Sequence, residues 1–270
     1  MAVFALRQCT MADLSWLQYA LIGLIFVWSG FVRSGLGFGG AALSLPFLLL
    51  IVNDPLIFLP IIAIHLLIFS SLIAGKGFLA ARRQTAGSST GRDNVDWDYL
   101  KWSLKIMIVP KLIGVLGLLT LPPRIMSTII FVIVIAYAIG YVLNKPIRSG
   151  GRKTDLALLG LGGYVSGSSL IGAPLIVAVY ASHVAKHQLR DTLFILWFIL
   201  VTIKMISFLI AGGDLQLAHQ LWLLPCAWLG HIFGERFHQR IVAAENATFF
   251  RVVGATLILV SLIGIVSALR

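Results

Sequence analysis

The sequence predicts an all-α protein that crosses a membrane several times, and three observations lead to this fold class. Of the 270 residues, 59% are hydrophobic and only 11% are charged, whereas an average soluble domain is about half apolar and about a quarter charged. The hydrophobic residues gather in runs of about 20, the length that a helix needs to span a bilayer. The Lys and Arg residues, which give a net charge of +11, lie mostly in short segments between those runs. We therefore expect a multi-pass protein of the cell inner membrane.

The hydrophobic runs predict two kinds of element. Continuous spans are predicted near 57–75, 100–120, 124–143, 191–211, 217–234 and 250–269. Two further apolar stretches, 17–50 and 156–180, are interrupted by glycine, so each predicts a broken helix. The residues before the first stretch include Asp13 and carry little positive charge, so we expect no cleavable signal peptide there.

The basic residues predict the orientation of the spans. Fourteen of the 21 Lys and Arg residues fall in four segments, 76–101, 144–155, 181–190 and 235–251. The opposite loops contain only Arg124. Because Lys and Arg favour cytoplasmic loops, the four basic segments are predicted to be cytoplasmic. This holds only if each glycine-broken stretch leaves the membrane on the side where it entered, as a re-entrant hairpin. Basic residues placed in this way argue against nucleic-acid binding.

The two broken stretches predict an internal repeat. A shift of 133 residues aligns Gly30 with Gly163, and each stretch is followed by three spans. Repeats are therefore predicted at 17–143 and 156–269. A hairpin plus three crossings is an odd number, so the second copy would be inverted relative to the first, a common plan of secondary transporters. Chance likeness is the alternative, since glycine is common in membrane helices.

The glycine breaks predict a cradle for an anion. A broken helix exposes backbone N–H groups, and the N-terminus of a half-helix carries partial positive charge. Irregular backbone at membrane depth survives only where it is buried or lines a water-filled cavity. The predicted cradle consists of small residues from both stretches: Gly35, Gly37, Gly39, Gly40, Ser166, Gly167, Ser168, Ser169 and Gly172. Close helix packing is the alternative role of the glycines.

Basic residues inside the apolar runs indicate the charge of the substrate. Arg33, Lys105, Lys111 and Lys204 lie within these runs, whereas all ten acidic residues fall in loops or at span ends. A cation in hydrocarbon is costly unless it is paired or hydrated, and a bound anion would supply the partner. Arg33 abuts the first break, and a guanidinium can grip an oxyanion through two parallel hydrogen bonds. Lys111 and Lys204 are further substrate-binding candidates, whereas Lys105 lies near a span end and is expected to snorkel to the interface.

Histidine gives one further candidate. His65 lies in the middle of a span, where a proton-linked pathway residue and a neutral histidine bonded to a backbone carbonyl are both open. His183 and His187 have helical i, i+4 spacing, but the glutamate of a zinc-binding HExxH motif is absent. The glycine-rich segment 35–40 lacks the strand–helix unit of a dinucleotide site. We expect neither a metal nor a cofactor.

Several segments resemble one transporter family. SGFVRSGLGFGGAALSLP at 29–46 and GGYVSGSSLIGAPLIV at 162–177 resemble the glycine-rich signatures that open the two halves of the TauE/SafE sulfite-exporter family. NVDWDYLKW at 94–102 and the segment from 230 to 264 resemble its later parts, so the resemblance covers most of the chain. It implies an integral membrane protein that moves sulfite, sulfonates and related anions, mostly outward. Ala173 stands where many members carry glycine.

We therefore expect a secondary transporter that exports a small sulfur-containing oxyanion, sulfite or an organosulfonate, and no enzyme activity. The anionic character follows from the unpaired basic residues, and the sulfur chemistry follows from the resemblance. An uptake permease or a channel for a small anion is one alternative, and a structural membrane subunit that transports nothing is another. The expected partners are the small anionic substrate and the lipid bilayer, with no nucleic acid; a homodimer is left open.

Overall fold

The computed structural model describes residues 14–36, 40–84, 95–145, 147–243 and 247–269, and these residues are helical with short connections and no strand. The described chain forms ten helices: α1 (Trp16–Leu36), α2 (Gly40–Ile51), α3 (Pro55–Gln84), α4 (Trp97–Thr120), α5 (Pro123–Val142), α6 (Arg152–Ser169), α7 (Ala173–His183), α8 (Lys186–Ile210), α9 (Leu217–Ala243) and α10 (Ala247–Leu269). The all-α prediction is confirmed.

The predicted spans are helices, and both glycine-containing stretches are broken. By length and composition, six of the described helices could cross a bilayer: α1, α3, α4, α5, α8 and α10. This set includes α1, which we expected to be one arm of a re-entrant hairpin. It does not include α9, which contains the predicted span 217–234. The 21 residues of α1 give it the length of a full span. Polar residues, among them His219, Gln220 and His231, lower the hydropathy of α9.

The second broken stretch turns back on itself. Helix α6 ends at Ser169, and Leu170 adopts the left-handed conformation that closes many helices, with φ of 62°. Helix α7 then begins at Ala173, and its last turn returns to the first turn of α6, where His183 Nε2 lies 2.8 Å from Asp155 Oδ2. The two ends of the stretch therefore meet, as a hairpin requires. Its placement relative to the two faces of the membrane remains a prediction.

Glycines bring pairs of helices into backbone contact. The most extensive contacts join α1 to α9, α4 to α6 and α5 to α10. A Cβ at Gly230 of α9 would lie 1.9 Å from the carbonyl oxygen of Val27 in α1. A Cβ at Gly167 of α6 would lie 2.2 Å from the carbonyl oxygen of Lys111 in α4. Small residues permit such close approach in membranes. Gly167 therefore packs closely against α4, whereas its predicted part in the cradle stays a prediction.

The contacts of the two halves correspond to each other. Exchange of α1–α5 with α6–α10 converts the α1–α9 contact into the α6–α4 contact, and it maps the α5–α10 and α3–α8 contacts onto themselves. The correspondence extends to residues. A Cβ at Gly30 would lie 2.1 Å from the carbonyl oxygen of Ala227, and a Cβ at Gly163 would lie 2.7 Å from the carbonyl oxygen of Met107. The two halves thus share these packing contacts, with a shift of 133 residues between α1 and α6 and of 120 residues between α4 and α9.

The predicted topology can be tested at two exposed threonines. We expect a cysteine at Thr154 to be protected from a membrane-impermeant maleimide on intact cells, because segment 144–155 is predicted to be cytoplasmic. A cysteine at Thr120 should react. Thr120 is the last residue of α4 and adjoins a loop with little positive charge, which is predicted to lie on the opposite side of the membrane. Both variants would be made in a chain whose Cys9 and Cys226 are replaced by serine. Labelling of Thr154→Cys from outside would contradict the predicted cytoplasmic placement of segment 144–155.

Candidate functional site

A cavity of about 40 Å³ lies where the two broken stretches meet. Arg33 of α1 and Ser166 of α6 line it from opposite halves of the chain, and the first residues of α2 and α7 line it as well. Side chains of α3 and α8, including Ser70 and Trp197, complete the lining. A water molecule needs about 10–15 Å³ of such space, so the cavity can accommodate waters or a small ion.

Arg33 is buried with most of its hydrogen-bonding capacity unused. The residue is only 3% exposed, and its guanidinium lies over the ring of Phe69 at 5.2 Å. Nη2 donates a long hydrogen bond of 3.4 Å to Ser29 Oγ. Neither Nε nor Nη1 has an acceptor among the described residues. Buried polar groups are normally satisfied, so an unpaired guanidinium beside a cavity indicates a missing acceptor.

Two helix N-termini contribute positive potential to the same cavity. Gly40 and Ala41 begin α2, Ala173 begins α7, and all three line the cavity wall. The N-cap of α7, Gly172, supplies no side-chain acceptor for the first N–H groups of this helix. A helix N-terminus with free N–H groups favours anions. None of the described lining residues is acidic, so the local electrostatics favour negative charge.

Lys111 acts on the cavity through Ser166. Lys111 is fully buried in α4, and its Nζ donates to Ser166 Oγ at 3.1 Å. An ammonium group can only donate, so the serine oxygen is the acceptor in this bond. The hydroxyl proton of Ser166 is then available for an acceptor inside the cavity. Lys111 therefore orients a donor of the wall, and it does not line the cavity itself.

Lys204 also lies behind the wall. It is fully buried in α8, and its Nζ donates to the carbonyl oxygen of Gly167 at 2.8 Å. Gly167 follows Ser166, so both lysines hold the same turn of α6. Both lysines therefore lie near the cavity without lining it. The exposed position of Lys105 agrees with the predicted snorkelling.

The remaining cradle candidates that the structure describes divide into three groups. Gly40 lines the cavity, and Gly172 packs against its wall, where a Cβ would lie 2.9 Å from the backbone nitrogen of Ser166. Gly35 is buried beside α9. The Ser168 and Ser169 hydroxyls donate to the carbonyl oxygen of Val165, at 3.3 and 2.9 Å, so they are directed along their own helix. The predictions for Gly37 and Gly39 lie outside the described residues.

His65 is buried but does not line the cavity. It is 0% exposed, and its ring contacts Phe26 and Phe69 at centroid distances of 5.2 and 6.4 Å. Neither ring nitrogen makes a hydrogen bond of normal geometry within the described part of the chain, although the Gln220 side chain is close enough to interact. The bond to a backbone carbonyl, one of the two alternatives left open for His65, is therefore not found among the described residues. His65 and the guanidinium of Arg33 therefore contact the same ring, that of Phe69.

Sequence reasoning missed His231 of α9. It is 3% exposed, its Nδ1 lies 2.5 Å from Ser34 Oγ, and its ring centroid is 5.0 Å from that of Phe69. Thus Arg33 and His231 contact the same phenyl ring. The repeat contained the signal: helices α4 and α9 correspond with a shift of 120 residues, which aligns His231 with Lys111.

A second polar cluster lies at the ends of the α6–α7 hairpin. The Asp155 carboxylate accepts hydrogen bonds from Ser149 at 2.5 Å and from His183 at 2.8 Å. The bond from Ser149 holds the pKa of this carboxyl below its usual range, and the bond from His183 acts in the same direction. The ring of His183 stacks on Tyr99 of α4 at 5.4 Å. His183 is thus paired as well as partly exposed, and the described residues contain no cluster of three metal-ligating side chains.

We expect Asp155→Asn to lower the melting temperature by a few degrees at neutral pH, because it removes the charge that joins the two arms of the hairpin. A lowered folded-state pKa means that the carboxylate stabilises the fold above the usual carboxyl range. This stabilisation is lost as the pH falls through the folded-state pKa of Asp155. The difference in melting temperature between wild type and variant should therefore close in acid. A constant difference down to the acid limit would contradict the assignment.

Taken with the membrane-spanning helices, a positively biased cavity between two broken helices is typical of a membrane transporter. A comparison with known families agrees. The family described as sulfite exporter TauE/SafE matches residues 21–264, and the chain belongs to this family. The resemblance predicted from the glycine-rich segments is confirmed, and the family comprises transporters of sulfite or similar anions. No curated protein and no solved structure matches the chain.

Proposed function

We propose that this protein is a secondary transporter that exports sulfite or a small organosulfonate. The observation that carries the proposal is the guanidinium of Arg33, which is buried beside a cavity and whose Nε and Nη1 lack an acceptor among the described residues. Within the described residues no carboxylate lines this cavity. A small oxyanion would supply the missing acceptors, and the family assignment supports sulfur as its central atom.

The cavity offers donors to each face of a small oxyanion. Nε and Nη1 of Arg33 lie on different edges of the guanidinium, and each can donate a charge-assisted hydrogen bond to an oxyanion oxygen. The hydroxyl of Ser166 faces the guanidinium from the other half of the chain, and the first N–H groups of α2 and α7 are further donors. Two buried lysines behind the wall offset part of the cost of dehydrating the anion. We propose that this donor set favours sulfite or a sulfonate headgroup over a neutral molecule.

We also propose that the two halves are inverted repeats that rock against each other around this cavity. The corresponding helix contacts of the halves, and the meeting of the two broken stretches at one cavity, support this arrangement. In transporters of this plan the site lies at the repeat interface, and one repeat moves relative to the other. The 40 Å³ cavity would then represent an occluded state of the pathway.

Flux from proteoliposomes tests the proposal and its direction. We expect sulfite loaded inside right-side-out vesicles to leave faster than from protein-free vesicles when an ion gradient is imposed, and cations of similar size to be retained. Uptake under the reversed gradient alone would favour the permease alternative. Flux that follows the sulfite gradient and ignores every coupling gradient would favour a channel. No sulfite flux and no binding would overturn the transporter proposal.

Ser166 and Ser169 form a matched pair for testing the wall. We expect Ser166→Ala to weaken sulfite binding about tenfold, because a cavity donor is lost and Lys111 loses its acceptor. Ser169→Ala removes a hydroxyl that is bonded to its own helix, so binding should remain close to wild type. Isothermal titration with sulfite measures both. Equal losses in the two variants would contradict a specific role for Ser166.

A further inference from the structure

A second cavity lies at the loop that joins the two halves of the chain. Its volume is about 510 Å³, and it lies between α5, α7 and the connecting residues Lys145, Ile147, Arg148 and Ser149. The helix walls are small or apolar: Ala136 and Gly140 face it from α5, and Val177, Ala178 and Ala181 face it from α7. This groove is separate from the Arg33 cavity, with which it shares no lining residue.

The groove lies where the helix contacts of the two halves differ. Helix α2 packs directly against α10. The exchange of halves converts this pair into α7 and α5, which have no comparable contact. Helices α2 and α10 therefore pack together without a gap, whereas the corresponding helices α7 and α5 are separated by the groove. An apolar gap of this size between membrane helices favours an apolar occupant over water.

Polar groups gather at one end of the groove. Lys145 and Arg148 line it from the connecting segment, and both are exposed. The nearby carboxylate of Asp155 is already bonded to Ser149 and His183. Deeper in the wall, Tyr137 is only 9% exposed, and its hydroxyl has no partner among the described residues. The groove thus combines a basic rim, an unpaired buried donor and apolar walls.

We propose that this groove binds one anionic phospholipid, with the phosphate at Lys145 and Arg148 and an acyl chain along the walls of α5 and α7. Basic pockets between membrane helices on the cytoplasmic side hold anionic headgroups. The apolar walls select a lipid over free phosphate, because a phosphate ion alone would leave most of the 510 Å³ unfilled. The bound lipid would occupy the gap between α5 and α7 and so join the two halves. This proposal does not depend on the identity of the transported anion.

Retention of lipid by the purified full-length protein tests the proposal. Native mass spectrometry should show one phosphatidylglycerol bound and displacement by neither phosphatidylcholine nor inorganic phosphate. We expect Lys145→Gln with Arg148→Gln to weaken phosphatidylglycerol binding on the order of tenfold or more, because each basic group contributes about 1 kcal/mol near an anionic lipid. Arg152→Gln with Lys153→Gln is the matched control, since these exposed residues belong to the same basic segment and do not line the groove.

Ala181→Phe tests the apolar wall independently. This position is exposed, so the substitution need not disturb the core, and the larger side chain should obstruct the acyl chain while the basic rim remains. We expect loss of phosphatidylglycerol binding together with an unchanged response to sulfite. Equal retention of phosphatidylcholine would overturn the proposal, as would wild-type lipid binding by the Lys145/Arg148 double variant. Stabilisation by inorganic phosphate to the same extent as by lipid would show a free-anion site and would also overturn it.

Discussion

Replacement of Arg33 by glutamine should abolish most of the sulfite affinity without destabilising the protein in the absence of substrate. Hydrogen bonds to charged groups contribute about 1.5–3 kcal/mol each, so loss of the two donors Nε and Nη1 should weaken binding about a hundredfold or more. Removing a buried charge that has few protein partners should leave the melting temperature of the apo protein unchanged or slightly raised. Arg33→Lys keeps the charge but loses the planar fork, so its loss should be intermediate.

Binding and melting must be measured on the same preparations. Isothermal titration gives the sulfite affinity, and thermal unfolding with and without sulfite gives the ligand-dependent stabilisation, which should vanish for Arg33→Gln. Lys105→Gln is the control, because Lys105 is exposed on α4 and remote from the cavity lining. Full transport by Arg33→Gln would remove this residue from the site. Collapse of its apo form would show instead that the guanidinium supports the fold.

Replacement of Gly167 by alanine should cause a large loss of stability. The added methyl group would lie 2.2 Å from the carbonyl oxygen of Lys111 and 3.1 Å from the backbone nitrogen of Val115. Neither atom can move without moving helix α4, so the two helices must separate. Overpacking of this kind commonly costs about 1–3 kcal/mol, and we expect the upper end here because backbone meets backbone. Thermal melting in detergent, followed by tryptophan fluorescence, measures the effect.

Gly160→Ala is the matched control on the same helix. A Cβ at Gly160 meets no atom within 4 Å, so alanine should be tolerated there. Its higher helix propensity, up to about 1 kcal/mol, should leave the melting temperature equal or raised. If Gly167→Ala melted at the temperature of Gly160→Ala, the contact between α4 and α6 would be looser than the structure shows. The predicted role of Gly167 in packing would then be wrong.

The local pattern of hydrophobic runs and glycines was sufficient to predict the helices of this fold. Each of the continuous runs became a helix, and both glycine-containing stretches were broken near the predicted positions. Hydropathy predicts helices well in membranes because every backbone polar group must be satisfied within its own segment. By length and composition, α1 joins the candidate spans and α9 falls below them, although the two helices share the most extensive contact among the described residues.

The site was predicted less completely, because it depends on which helix faces meet. Arg33 was selected from its unpaired charge beside a break, and it does line the cavity. Lys111 and Lys204 were selected for the same reason, yet both lie behind the wall and bind Ser166 and Gly167. Composition shows that a cation is buried, but it does not show whether its head reaches a cavity or a neighbouring backbone.

By itself the sequence determined that this chain is a multi-pass helical membrane protein with two glycine-broken stretches and buried basic residues that lack central carboxylates. These properties are local, since they depend on runs of about 20 residues and on the cost of charge in hydrocarbon. Only the tertiary structure decided that Arg33 and Ser166 share one cavity and that His231 contacts Ser34 across 197 positions of sequence. Such pairings depend on the rotation of each helix about its axis, which is fixed by glycine contacts between helices distant in sequence and not by any single segment.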